Sequence, residues 1–334
     1  MVLRVAVIGC GAIAHAHIPA IHGAPGVEVA GVLDTDGARA RAVAARYGIG
    51  VIYDDWAAVL QDDDVDVVVL LLPHHLHRAF AVEALAAGKH VMCEKPLATT
   101  LADCDAMIDA AARAGRALMP CHTRLFEPAT PYLRGLLDRG ALGDVYLAQT
   151  AGIEPPSTPG ARPWLGRQAG DGVLMAQAVH VAYLLRHLVG AVAEVSCFTG
   201  GVRVADLAAD DTAVVLLRFA SGAVAAMTAT FGQRIGPHEH VVTLYGCDGW
   251  ARYAVGDSRR ELWVASEHLY GNDQPQVVHL AEEPHFRTMW TAFAQALASG
   301  APPPVTGQDG RAAVEIIVAA YQSAALGRPV RLPL

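Results

Sequence analysis

The chain has 334 residues, 53% of them hydrophobic and 17% charged, and a formal net charge of -8 at pH 7. This composition excludes a disordered chain, and the acidic balance, with no compensating basic face, argues against a nucleic-acid ligand. The length favours two domains over one. Six cysteines (10, 93, 104, 121, 197, 247) lack CxxC or CxxxC spacing. They read as small hydrophobes of a reducing, cytoplasmic compartment rather than as a disulfide framework. The start MVLRVAVIGCGAIA is broken by Arg4 and runs into a glycine turn, so it reads as a buried strand and not as a signal peptide. No apolar run approaches the roughly 18 residues of a membrane helix.

In chain order, apolar runs alternate with helix-period segments over residues 2–120, the pattern of a parallel α/β sheet. The predicted strands are Leu3–Ile8, Val27–Leu33, a short Val51–Tyr53, Val65–Leu71, His90–Cys93 and Ala117–Met119. The predicted helices are Ala12–Ile21, Asp36–Tyr47, His75–Ala87 and Leu101–Ala114, with Gly48, Gly88 and Gly115 placed where C-terminal caps belong. Beyond residue 122 the pattern changes. A Pro/Gly-rich loop (Glu154–Gly172) leads into an apolar helix, GVLMAQAVHVAYLL, in which Gln177 and His180 share a face. Period-two runs follow at Thr212–Phe219, Ala223–Thr230, His240–Tyr245 and Glu261–Val264, as in an antiparallel sheet with one covered face. Helices at about Pro284–Ser299 and Asp309–Leu326 close the chain.

The first strand ends in Gly9-x-Gly11-x-x-Ala14 and opens a helix. One glycine permits the tight turn, the second lets backbone approach a pyrophosphate, and a small third residue lets helix and strand pack. Helix N-terminal N–H groups at Ala12 and Ile13 then face the phosphates. Asp34 closes the second strand, where a carboxylate accepts the adenosine ribose hydroxyls and repels a 2′-phosphate. NAD is therefore favoured over NADP, with Arg39 the nearest arginine. The competing role for Asp34 is a helix N-cap, which suits Asp36 better.

Lys89 and Lys95 are the only lysines in an arginine-rich chain. Lys89 reads as a surface ion pair. Lys95 lies in Glu94-Lys-Pro96 at the carboxyl end of a strand, where doubly wound sheets bind ligands. There it suits donation to a substrate hydroxyl or ketone oxygen, steadied by Glu94; the alternative is a surface ion pair before a proline turn.

The turn GCGAIA, the segment LPHHLH (72–77), the run AGKHVMCEKPLA, the stretch GDGVLM (170–175) up to His180, and the ending PPVTGQDG with GRPVRLP together resemble the Gfo/Idh/MocA family of glucose–fructose oxidoreductase and inositol dehydrogenase. The resemblance runs over essentially the whole chain. It implies an α/β fold with an N-terminal Rossmann doubly wound parallel sheet (1–121). A C-terminal α/β domain with an open, mostly antiparallel sheet (122–334) follows, its terminal helix packing back on the first domain. It also implies NAD(P)-dependent oxidation or reduction of a sugar, polyol or cyclitol carbon, and a homodimer or homotetramer through the C-terminal sheet. Lys95 matches the lysine that touches the reacting oxygen, and His180 the histidine used as general acid/base. Pro73, His74 and His77 fall beside the nicotinamide end, while His122 and Arg124 fall near substrate.

The family pattern carries an acid or asparagine four residues before the histidine, where this chain has Ala176; the aspartate one turn beyond is Tyr183. Three readings follow. Lys95 and His180 suffice, with Gln177 on substrate or cofactor; the reaction is a redox-cycling elimination or glycoside cleavage on retained NAD; or the protein binds dinucleotide without turnover. Arg162, Trp164 and Arg167 precede the apolar helix, and Trp164 is placed to cover a sugar face. Neither the clustered His74, His75 and His77 nor the pair His238 and His240 offers a complete ligand set, so no metal is expected.

Overall fold

The computed structural model describes residues 2–155, 172–201, 209–233, 235, 238–256 and 260–334. In chain order its first elements are β1 (Leu3–Ile8), α1 (Ala14–Gly23), β2 (Val27–Leu33), α2 (Gly37–Tyr47), α3 (Trp56–Gln61) and β3 (Val67–Leu70). Next come α4 (His77–Ala86), β4 (His90–Cys93), α5 (Leu101–Ala114), β5 (Leu118–Pro120), α6 (Ala129–Asp138) and β6 (Val145–Ile153). A π-helical turn, Leu174–Ala178, leads into α7 (Val179–Val189), then β7 (Val192–Gly200), β8 (Thr212–Phe219), β9 (Val224–Thr230), β10 (Glu239–Gly246), β11 (Gly249–Gly256) and β12 (Arg260–Ser266). The last elements are α8 (Glu267–Tyr270), β13 (Gln276–Val278), α9 (His285–Ser299), α10 (Gly307–Leu326) and β14 (Val330–Arg331).

Two units divide the chain. The first runs to Glu127 and takes in Glu283–Arg311, a segment that the sequence places in the second domain. Its five parallel strands have the order β2-β1-β3-β4-β5. β3 reads VVVL and is buried at every residue, as a strand covered by helices on both faces must be. Asp36 caps α2 by accepting the Ala38 and Arg39 N–H groups, and Gly48 and Gly115 end α2 and α5 in the left-handed conformation. The expected strand at Val51–Tyr53 reduces to a single bridge between Ile52 and Val32. Helix α9 joins this unit because Met289, Trp290 and Phe293, all fully or almost fully buried, pack it against α1.

The second unit is built on a nine-stranded sheet of order β13-β12-β11-β10-β6-β9-β8-β7-β14. Its neighbours run antiparallel except β6 and β9, which are parallel. Strand β8 alternates buried and exposed residues along its length, so one face packs inward and the other does not. The π turn and α7 lie on the inner face against β9 and β6. Strands β6, β7 and β11 escape the period-two reading. β6, VYLAQTAGI, is rich in small residues of weak strand preference, and pairing with β10 and β9 on both sides is what makes it a strand.

Candidate active site

The glycine turn after β1 has the geometry of a phosphate cradle. Gly9 has φ +101°, and a side chain there would collide with the Leu71 carbonyl oxygen. Gly11 has nothing within 4 Å of its missing Cβ, so a ligand has room to approach the backbone. Ala14, the first residue of α1, is fully buried. Among the described residues the N–H groups of Gly11, Ala12 and Ile13 meet no acceptor, which leaves them for an anion at the helix N-terminus.

Asp34 follows β2 and accepts the Cys10 N–H on one oxygen and the Asp36 N–H on the other, each at 2.8 Å. Its carboxylate is thus turned to the glycine turn, while capping of α2 falls to Asp36. Arg39 lies over both acids at 3.4 Å. The arginine nearest to a prospective 2′-phosphate is therefore engaged by carboxylates.

The loops after β3 and β4 are fastened to each other. One ring nitrogen of His77 is 2.9 Å from the Pro96 carbonyl oxygen and the other 2.9 Å from that of Leu72. Burial pushes this ring below the usual histidine range, although the two carbonyls oppose the shift. Both nitrogens face protein, so His77 shapes the loop that presents Pro73 and His74. His74 packs edge-on against it, with ring centres 5.8 Å apart.

Glu94 leaves β4 with its side chain clamped at both oxygens. His17 donates to one from Nε2 at 3.0 Å, and the Lys95 N–H donates to the other at 3.1 Å. Burial works to raise this carboxyl, but the His17 hydrogen bond, the Lys95 charge and the Lys95 backbone N–H bring it below the usual range. His122 is almost fully buried close by. Burial first, and then the Lys95 charge, lower its pKa from 6.5 to about 3, so the ring is neutral. Lys89, expected as a surface ion pair, is instead buried, and its Nζ donates to the Asp62 carbonyl oxygen at 2.7 Å. It ties the start of β4 to the end of α3.

One ligand atom each from His17, Glu94 and Cys121 lies within 4.8 Å of the others. The spacing would suit a cation, but the chemistry does not. His17 Nδ1 accepts the Trp290 indole N–H at 3.2 Å, so the ring hydrogen sits on Nε2 and points at Glu94. Burial also pushes the Cys121 thiol well up.

In the second unit, Asp210 starts the helix that carries His180. Its carboxylate accepts the Leu174 N–H at 2.9 Å and the Tyr321 hydroxyl at 2.8 Å, and its carbonyl accepts the Val173 N–H. A side chain at Gly172 would strike this carboxylate, which accounts for the glycine. The π turn places Ala176 and Gln177 just before His180, and such turns recur at functional positions. Gln177 is 3% exposed and its amide lies over Gly152 of β6, where a Cβ would come within 2.8 Å of Nε2. Ala176 and Tyr183 are buried, whereas His180 is partly exposed. His240 pairs with Glu154 at 3.1 Å. Trp164, Arg162 and Arg167 lie outside the described residues. The sequence reading missed His17, Trp290, Asp210 and Tyr321. Of these only His17 carried a local signal, as the next inward residue of α1 after Ala14.

A profile of the oxidoreductase family with an NAD-binding Rossmann fold matches residues 3–122, and the GFO/IDH/MocA C-terminal domain matches residues 131–252. The chain belongs to the Gfo/Idh/MocA family. This makes it an NAD-binding oxidoreductase, and the cradle, the Asp34 carboxylate and the free turn N–H groups of the first unit fit that dinucleotide.

Similarity to individual family members spans the chain. It is 28% identical to D-apiose dehydrogenase of Paraburkholderia graminis over 98% of this chain and 89% of that protein. Myo-inositol 2-dehydrogenase of Thermotoga maritima is 26% identical over 99% and 98%. Among solved structures, levoglucosan dehydrogenase in complex with NADH and levoglucosan superposes with a TM-score of 0.91 at 26% identity, covering 100% of both chains. Aldose-aldose oxidoreductase from Caulobacter crescentus, complexed with glycerol, gives 0.89 at 27% identity, covering 99% of this chain and 100% of that one. Among the described residues, no helix is long and apolar enough to cross a membrane.

Proposed function

We propose that the chain is an NAD-dependent dehydrogenase or reductase acting on a carbinol or ketone carbon of a sugar, polyol or cyclitol. The observation that carries this reading is the clamped Glu94–Lys95 turn at the carboxyl end of β4 in an NAD-binding Rossmann unit. Similarity to dehydrogenases named for D-apiose, myo-inositol and levoglucosan supports the substrate class.

When bound, NAD supplies the hydride acceptor or donor. Gly9, Gly11, Ala12 and Ile13 hold its diphosphate, Asp34 its adenosine ribose, and Pro73, His74, His77 and Glu94 shape the nicotinamide end. Lys95 donates to the reacting oxygen, and its charge stabilises the alkoxide that develops there. His180 takes the hydroxyl proton in oxidation and returns it in reduction. His122, Arg124, Trp164 and Gln177 meet the rest of the substrate. A neutral His122 suits hydrogen bonding to hydroxyls rather than pairing with an anion.

The second domain contributes substrate contacts and assembly, in a cytoplasmic enzyme. Phe198 (76% exposed), Val214, Leu216 and Val224 share the outer face of its sheet, by the pairing of Phe198 with Val214 and of Arg218 with Val224. A second copy covers this apolar face in a homodimer or homotetramer.

Ala176, which puts no acid before His180, favours a second reading: redox cycling on retained NAD during an elimination or glycosidic cleavage. Deuterium on the substrate carbinol carbon separates the two. The dehydrogenase reading expects the label in released NADH. Product that keeps the label, with no reduced cofactor released, overturns it in favour of cycling.

A further inference from the structure

His17 lies outside the residues assigned above, yet it hydrogen-bonds Glu94, the residue before Lys95. Its ring is fully buried on α1, between Phe286 (ring centres 5.0 Å apart, 74°) and Trp290 (6.1 Å, 86°). The Trp290 indole N–H is a donor only. Nδ1 of His17 must therefore accept, and Nε2 must carry the hydrogen that Glu94 receives. Tautomer and orientation are fixed by one bond.

The same helix opens at the glycine cradle. It thus links the dinucleotide turn to the carboxylate next to Lys95, with Glu94 held from α1 on one oxygen and from the Lys95 backbone on the other. We propose that His17, oriented by Trp290, is a positioning residue that fixes Glu94 as the counter-charge of Lys95. The proposal rests on reading Lys95 as the group at the reacting oxygen only for its purpose; the pairing itself is tested without turnover. Among the described residues, His122 also feels the Lys95 charge; it is neutral and sits in the fields of Glu94 and Asp309.

With Lys89 buried on a backbone carbonyl and Lys95 partly exposed, one side-chain amine of the chain dominates acylation. The probe is acetic anhydride on the NAD-loaded full chain, with Lys95 and Lys89 acetylation rates resolved by peptide mass spectrometry. The Glu94 carboxylate feels the Lys95 charge and in turn favours its ammonium form, so Glu94→Gln is expected to speed Lys95 acetylation ~10-fold or more relative to Lys89. His17→Leu is expected to do most of the same. His17→Gln, whose amide can donate to Glu94 and accept from Trp290, is expected to stay within about twofold of the parent on the same scale. Lys95 rates in His17→Leu within about twofold of the parent overturn the proposal, as does an unchanged rate in Glu94→Gln. Equal increases in His17→Leu and His17→Gln would also overturn it, since they would mark general loosening. If His17→Leu fails to fold, Trp290→Phe, which removes only the indole N–H, decides: a smaller rise supports the proposal and none overturns it. Should Lys95→Met leave turnover intact, the catalytic reading of Lys95 falls, while the acetylation result still decides the role of His17.

Discussion

Lys95 and His180 differ in how the fold treats them. Lys95 follows a carboxylate whose two oxygens are already committed, so its backbone is set before any ligand arrives. His180 follows a π turn and is partly exposed in a stretch, Val179–Leu185, whose other residues are all buried. General acid/base groups contribute ~10²–10⁴-fold to rate, so steady-state turnover of His180→Ala should fall by that order. A loss under about threefold would remove His180 from proton transfer. Lys95→Met should lose a comparable factor while keeping its affinity for NADH, as measured by cofactor fluorescence; weaker binding with unchanged turnover would assign it to the cofactor instead. Both are candidates that the sequence offered, Lys95 through lysine scarcity and its Glu-Lys-Pro turn and His180 through the family resemblance. His17 and Trp290 were not read as partners, because 273 residues separate them and only the packing of α9 on α1 brings them together.

At the scale of elements, the helix bearing His180 depends on Asp210, which satisfies the Leu174 N–H and receives the Tyr321 hydroxyl. Burial raises the Asp210 carboxyl, and these two hydrogen bonds oppose the shift. Asp210→Ala leaves the buried Leu174 N–H and the half-buried Tyr321 hydroxyl without this acceptor, so chemical denaturation should show a loss of about 1–3 kcal/mol. Tyr321→Phe, which removes one bond, should cost less. An Asp210→Ala variant as stable as the parent would show that the helix needs no such start. A second expectation concerns the turn after β5. His122 titrates at about 3 in the fold against 6.5 in a free chain. Its contribution to stability is therefore complete above 6.5 and is lost as pH falls toward 3. The melting temperature should decline across that window, and His122→Gln should make the decline shallower. Identical slopes would contradict the assignment.

The elements that sequence patterning reached were those whose partners are local or uniform. Parallel strands buried on both faces read as apolar runs, and capped helices announced their ends through Asp36, Gly48 and Gly115. Strands β6, β7 and β11 were missed because their residues are small or mixed, and their identity comes from neighbours paired across the sheet. Likewise, α9 belongs with the first unit because of buried aromatic contacts that no local pattern announces.

For the whole molecule, the exposed apolar face at Phe198, Leu216 and Val224 predicts self-association. Light scattering should give a multiple of the single-chain mass, and Phe198→Asp combined with Leu216→Asp should return it to one chain. A parent already of single-chain mass would contradict assembly through this face. The family assigns NAD chemistry to the molecule, and the remaining question is whether the cofactor leaves reduced. The most direct measurement is the stoichiometry of NADH absorbance against product, with a panel of sugars, polyols and cyclitols, for the parent chain and for Lys95→Met. One NADH per ketone formed, abolished in Lys95→Met, is the expected result. Product without net NADH, or turnover indifferent to Lys95, would contradict it.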